Sequence, residues 1–105
     1  MAATPEQLMR SRYTAYSMAN ILYIKSTMRG KAAQDYDETS AAIWARTVKW
    51  LELTVVTTEM AGEDKGFVEF IVKYSYEGML EHIHEKSEFH LIKGVWYYVD
   101  GDMLS

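Results

Sequence analysis

The periodicity of the apolar residues changes once along the chain, near residue 50, and this change restricts the fold more than any other feature. Before it, apolar residues recur at helical spacing; after it, they alternate with polar residues. Only short connections, at residues 62–66, 77–78 and 93–94, interrupt the alternating half. Because such short connections join antiparallel neighbours, the pattern predicts an α+β domain in which helices precede a meander of about four long strands.

The first two helices carry clear start and stop signals. Thr4, Pro5 and Gln7 match a capping box with proline in the first turn, which predicts that a helix begins there. A second helix is predicted over residues 21–28, with Asn20 as its N-cap and Gly30 ending it in the manner of a C-cap. Together these helices are expected to cover one face of the sheet.

A third, shorter helix is predicted after a polar loop at residues 31–38, and either Asp37 or Thr39 is expected to cap it. In the first strand, alternation predicts that Leu51 and Leu53 share one face. A chain of 105 residues is long enough for one domain. We therefore expect residues 1–105 to form a single unit with three helices packed on a curved antiparallel sheet.

The composition excludes several functional classes. The sequence has no cysteine, which removes disulfide scaffolds, all-thiolate zinc sites, iron–sulfur clusters and thiol catalysis. No apolar run approaches the ~20 residues that a membrane-spanning helix needs. The net charge of −4 divides into +4 over residues 1–31 and −8 over residues 32–105, and five dispersed cations are too few for a nucleic-acid footprint. We expect a cytoplasmic protein without nucleic-acid or membrane partners.

Five segments carry a family resemblance. They resemble, in order, the opening and the four strands of the bacterial YchJ-like family: residues 4–16 (TPEQLMRSRYTAY), 50–55 (WLELTV), 66–70 (GFVEF), 84–89 (HEKSEF) and 96–101 (WYYVDG). The resemblance implies a cone of the nuclear transport factor 2-like type, in which three helices pack into the concavity of a bent sheet. It implies no activity, because the family is of unknown function and this fold hosts many functions.

The sequence departs from that family in one respect. Members typically carry a zinc-binding SEC-C motif with several cysteines, and this chain has none. The resemblance therefore implies that residues 1–105 correspond to the cone domain alone, either as part of a longer protein or as a family variant without the zinc-binding motif. The first functional hypothesis is a non-enzymatic accessory or protein-interaction domain, normally tethered to that motif. Its partner is unspecified, and the open sheet face could also support a homodimer.

The second hypothesis is a small-molecule-binding or weakly catalytic cone. Arg12 falls within the apolar stripe of the first helix and so requires a polar partner. Glu85 and Ser87 share strand parity with apolar neighbours, so we expect Arg12 and Glu85 to meet inside the cone. Tyr13 and Tyr16 complete the candidate pocket. A cavity lined by Arg12 and Glu85 would favour this hypothesis, whereas a cone filled by aromatic side chains would favour the first.

Three histidines suggest a metal site as a third and weakest hypothesis. His82 and His84 are two residues apart on one strand, which would allow them to share one ion, whereas His90 lies too far along. The same parity carries Lys86 and Glu88, which indicates a solvated face. We therefore predict no metal and no cofactor.

Overall fold

The computed structural model describes residues 2–104, which form four helices and four strands. In chain order these are α1 (Pro5–Ser17), α2 (Ile21–Ser26), α3 (Gly30–Gln34), α4 (Glu38–Thr47), β1 (Lys49–Met60), β2 (Lys65–Tyr76), β3 (Met79–Ile92) and β4 (Val95–Met103). The strands form one antiparallel sheet in the order β1-β2-β3-β4. The predicted α+β class and strand meander are confirmed.

Side-chain caps begin three of the helices. The backbone N–H of Gln7 donates to Thr4 Oγ1 (3.2 Å), and the backbone N–H of Ala3 donates to Gln7 Oε1 (2.7 Å), which completes the predicted capping box of α1. Asn20 caps α2, as expected. Asp37, rather than Thr39, caps α4. Among residues 2–104, none of the helices combines the length and hydrophobicity that a bilayer crossing requires.

The number of helices differs from the expected three. Helix α2 ends early with a turn at Thr27, and residues 28–29 then run extended beside β4, where Tyr98 donates its N–H to Thr27 O (2.9 Å) and accepts from Arg29 N–H (3.0 Å). Gly30 then reverses the chain at a φ of +66° and begins α3, instead of closing α2. Part of the predicted loop is therefore helical, and the short extended segment covers the edge of β4.

Two irregularities in β1 bend the sheet. The register against β2 shifts between Trp50 and Glu52 and again between Val55 and Thr57. The extra residues, Leu51 and Val56, are 46% and 50% exposed. The prediction that Leu51 shares the face of Leu53 is therefore wrong, because a bulge places Trp50 there instead. Bulges also increase local bending, which gives the sheet its concave face.

The core lies between this concave face and α1, with α2 and α3 closing one side. One buried cluster joins α1 to the sheet and contains Leu8, Met9, Val68, Phe89 and Trp96. A second joins α1 to α2 and the segment that follows it, through Ala15, Ile24 and Met28. The two clusters flank the space into which Arg12 projects.

Truncation of Ile24 tests the second cluster. The side chain is completely buried, so Ile24→Ala should lower the free energy of unfolding by about 2–5 kcal/mol through lost transfer energy and a new cavity. Leu22→Ala is the matched control in the same helix, since Leu22 is 78% exposed and the change should cost less than about 0.5 kcal/mol. Urea denaturation measures both; equal losses would contradict this account of the core.

Candidate functional site

A cavity of about 150 Å³ lies between α1, α4 and the concave face of the sheet. Most of the residues that line it are aromatic: Tyr13, Tyr16, Trp44, Trp50, Phe70, Phe89 and Tyr98. The polar groups on its wall are Arg12 from α1 and Glu85 and Ser87 from β3, beside the phenols. The cone is therefore only partly filled by its own side chains.

Arg12 is buried and held in place by its neighbours. Its Nη1 donates to the carbonyl of Ile24 (2.9 Å) and to Thr27 Oγ1 (2.6 Å), and its guanidinium lies over the ring of Tyr98, 4.6 Å from the ring centroid. Burial lowers the pKa of Arg12 from its ordinary value, although the neighbouring phenol of Tyr16 opposes the shift. Both hydrogen bonds use one nitrogen, which leaves Nε and Nη2 without an acceptor among residues 2–104.

Glu85 faces the same cavity from β3. Ser87 and Tyr98 both donate to its Oε2, the latter over 3.1 Å, so Oε1 has no donor within residues 2–104. Gly101 on β4 lies against this group, and a Cβ there would come 2.6 Å from Glu85 Oε2 and would also overlap the Tyr98 hydroxyl. The missing side chain at Gly101 is what allows the carboxylate and the phenol to meet.

Tyr98 links the two charged residues. Its ring face contacts the guanidinium of Arg12, and its hydroxyl donates to Glu85. Burial, reinforced by the nearby carboxylate, raises the pKa of Tyr98 far above its usual value, so the phenol stays a donor. The expected direct contact between Arg12 and Glu85 is wrong: within residues 2–104 each binds other groups, because Ile24 and Thr27 anchor the guanidinium and Tyr98 stands between the charges.

An aromatic cluster forms the opposite wall. Trp44 of α4 and Trp50 of β1 meet edge to face with ring centroids 4.9 Å apart, and Tyr16 packs against both. Tyr13 meets Trp50 edge to face as well, at 5.9 Å. Such pairs stabilise beyond the area that they bury, and they make this wall largely aromatic.

All five residues of the predicted pocket lie on the cavity wall: Arg12, Tyr13, Tyr16, Glu85 and Ser87. The pocket prediction did not include Tyr98, although it shares strand parity with the buried Trp96, and this alternation could have indicated it. It also did not include Trp44 and Trp50. Their place depends on the β1 bulge and on the packing of α4, neither of which leaves a sequence signal.

The three histidines lie on the outer face of the sheet. His84 Nε2 is 2.8 Å from Glu69 Oε2, and His90 Nε2 is 2.7 Å from Glu88 Oε2. His82 is exposed and lies opposite Lys73 in the strand pairing. Within the described part of the chain, no three His, Asp or Glu side chains are grouped as metal ligands would be. The candidate functional site is therefore the cavity and not the histidines.

The cavity offers a cation, a carboxylate, a hydroxyl and aromatic walls. The Ser87 hydroxyl donates to Glu85, and no imidazole reaches it, because the histidines occupy the opposite face. The base beside this serine is therefore a carboxylate, and the imidazole of a Ser–His pair is not part of the cavity. The arrangement can accept a hydrogen bond at Glu85, donate one from Arg12 and stack a flat group.

Sequence comparison gives a coherent set of relatives. A family model described as "YchJ, middle NTF2-like domain" matches residues 4–101. A UPF0225 protein of Geobacter sulfurreducens is 40% identical over 102 residues, which cover 95% of this chain and 63% of that protein. The chain thus spans less than two thirds of the length of this relative.

Solved structures of similar fold also come from bacterial proteins related in sequence to this chain. The solution structure of a SEC-C motif containing protein from Rhodopseudomonas palustris superposes with a TM-score of 0.87 at 34% identity, covering 98% of this chain and 80% of that one. The crystal structure of a SEC-C motif containing protein from Psychrobacter arcticus gives a TM-score of 0.81 at 29% identity, covering 94% of this chain and 60% of that one.

The buried phenol of Tyr98 predicts a loss of stability in alkali. Its pKa is raised in the folded state, so above pH ~10 the unfolded chain releases a proton that the folded chain keeps. This residue should then cost up to about 1.4 kcal/mol of unfolding free energy per pH unit. Guanidinium denaturation at pH 9 and pH 11 should show a smaller drop for Tyr98→Phe than for the wild type.

Tyr97→Phe, one residue away, is the control for this measurement. Tyr97 pairs with His90 across the strands, on the side of the sheet away from the cavity. Its variant should lose as much stability between the two pH values as the wild type. An unchanged drop in Tyr98→Phe would show that this phenol is not the group that resists ionisation.

Proposed function

This chain belongs to the YchJ middle-domain family of NTF2-like folds, and we propose that it serves as a binding domain for a small molecule held inside the cone. The observation that carries the proposal is the cavity of about 150 Å³, which has a buried guanidinium and a carboxylate on an otherwise aromatic wall. A buried charge is costly to maintain unless its hydrogen-bonding groups are used.

Unused hydrogen-bonding groups support this proposal. Arg12 retains two nitrogens without acceptors, and Glu85 retains one oxygen without a donor, among residues 2–104. Neither group is sealed from solvent, since the one fully buried polar side-chain atom without a partner in this part of the chain is Tyr36 Oη. A ligand that entered the cavity could therefore satisfy groups that the fold leaves open.

The size of the cavity limits the ligand. A cavity of ~150 Å³ accommodates one benzene-sized ring, whereas drug-sized ligands occupy ~300–1,000 Å³. The two hypotheses are distinguished by whether the cone is open or filled by aromatic side chains, and the structure lies between these cases. Aromatic side chains fill most of the cone, and the remaining space suits a compact molecule. We place the domain's function in binding rather than in catalysis.

Toluene, a one-ring probe, tests the proposal. In ¹⁵N-resolved NMR titrations, toluene should shift amide resonances around the cavity, and Ile83→Trp should abolish the shifts because Ile83 lines the cavity and the larger ring fills it. Ile71→Trp is the control, since Ile71 faces the outer side of the sheet opposite His84. Equal binding of toluene to Ile83→Trp and to the wild type would reject the binding site, as would a wild type that binds neither toluene nor a polar one-ring probe such as benzamide.

A protein-interaction role is a second candidate, favoured by exposed apolar residues at the end of the β2–β3 hairpin. Met79 and Leu80 are 65% and 79% exposed, and Tyr76 pairs with Met79 beside them. The outer sheet face instead carries ion pairs such as Lys86 with Glu59 (3.7 Å). The hairpin end is therefore a better candidate than the open sheet face for the contact surface of a homodimer.

The SEC-C motif of the solved neighbours suggests an adjoining module in the whole protein.

Sedimentation velocity tests this second role. If the hairpin end mediates self-association, the sedimentation coefficient of the wild type should rise with concentration, and Leu80→Glu should hold the protein as a monomer by adding charge to the contact. Leu22→Glu is the control, because Leu22 is equally exposed on α2. If the wild type remains monomeric at millimolar concentration, the proposal of a homodimer through the hairpin end is wrong.

A further inference from the structure

The two charges of the cavity cancel without touching each other. Arg12 contributes one positive charge and Glu85 one negative charge, and the ring of Tyr98 stands between them. Within the described chain, no other charged side chain lines this cavity. The site is therefore neutral as a whole but strongly polar across its width. A ligand with a net charge would be attracted by one group and repelled by the other.

The unmatched hydrogen-bonding groups are complementary to each other. Arg12 presents free N–H donors and can accept nothing, whereas Glu85 presents a free acceptor oxygen. A carboxylate on a ligand would satisfy Arg12 and be repelled by Glu85, and an amidinium would do the reverse. A carboxamide carries one carbonyl acceptor and N–H donors in a single plane without net charge, so it can satisfy both.

The remaining surface of the cavity recognises a ring. Tyr16, Trp44 and Trp50 form an apolar wall, and the volume of about 150 Å³ holds a single ring with one small substituent. We infer that the ligand class is a neutral one-ring aromatic carboxamide, with its ring against the tryptophans, its carbonyl on Arg12 and its N–H on Glu85. This inference rests on the proposed binding function and adds the chemistry of the ligand.

Three probes of equal size and different charge test the inference. Benzamide is neutral, benzoate is an anion and benzamidine is a cation at pH 7, and isothermal titration or NMR titration gives the dissociation constant of each. We expect benzamide to bind with a dissociation constant on the order of 1 mM. Benzoate and benzamidine should bind about tenfold more weakly, because each places a like charge beside Glu85 or Arg12.

Glu85→Gln should change the affinities of the two charged probes in opposite directions. Glutamine keeps an oxygen that can accept from Ser87 and Tyr98, while the cavity gains a net positive charge. Benzoate should then bind about tenfold more tightly than it binds the wild type, and benzamidine should lose further affinity. Glu81→Gln, an exposed position on the same strand, is the control and should leave all three constants unchanged.

The outcomes separate this inference from the proposed function. If toluene binds the wild type but benzoate or benzamidine binds more tightly than benzamide, the amide class is wrong and the binding site stands. The inference is also overturned if Glu85→Gln does not tighten the binding of benzoate, since Glu85 would then not act on the polar group of the probe. If neither toluene nor any of the three binds, the proposed function fails with it.

Discussion

The burial of Arg12 is the constraint on which the rest of the structure depends. The side chain leaves α1 in the middle of its apolar stripe, and its guanidinium reaches the end of α2, the extended segment after it and the ring of Tyr98 on β4. One residue thus fixes the helix against two other elements of the cone. Removing a partner from a buried charge costs several kcal/mol, so these elements must keep their relative positions.

The extended segment after α2 is the clearest consequence of this anchoring. Thr27 accepts a hydrogen bond from Arg12 through its side chain and one from Tyr98 through its carbonyl oxygen. The segment therefore serves both as the polar lining of the arginine and as the cover of the β4 edge. Unpaired strand edges promote association, so the segment that hydrogen-bonds Arg12 also protects the sheet. Gly30 makes this arrangement possible by turning the chain into α3 immediately afterwards.

The sequence was sufficient to predict the features that depend on local periodicity. Capping residues such as Thr4 and Asn20, the strand meander, and the inward position of Glu85 and Ser87 all followed from spacing alone. The features that could not be predicted depend on contacts between distant elements. A bulge replaced Leu51 by Trp50 on the inner face, and Tyr98 rather than Arg12 met Glu85. A bulge shifts parity by one residue, and alternation cannot reveal where that shift occurs.

The same bulges determine what the cone can contain. The bend in β1 turns Trp50 inward beside Trp44, and the two rings fill the side of the cone that a flat sheet would have left open. On the opposite side, Gly101 allows β4 to approach Glu85 so closely that the carboxylate is held on one oxygen only. Aromatic filling sets the volume, and the close approach of β4 sets which oxygen stays free. The size and the polarity of the cavity are thus both consequences of how the sheet is curved, and a relative with different bulges would be expected to have a cavity of different size and polarity in the same cone.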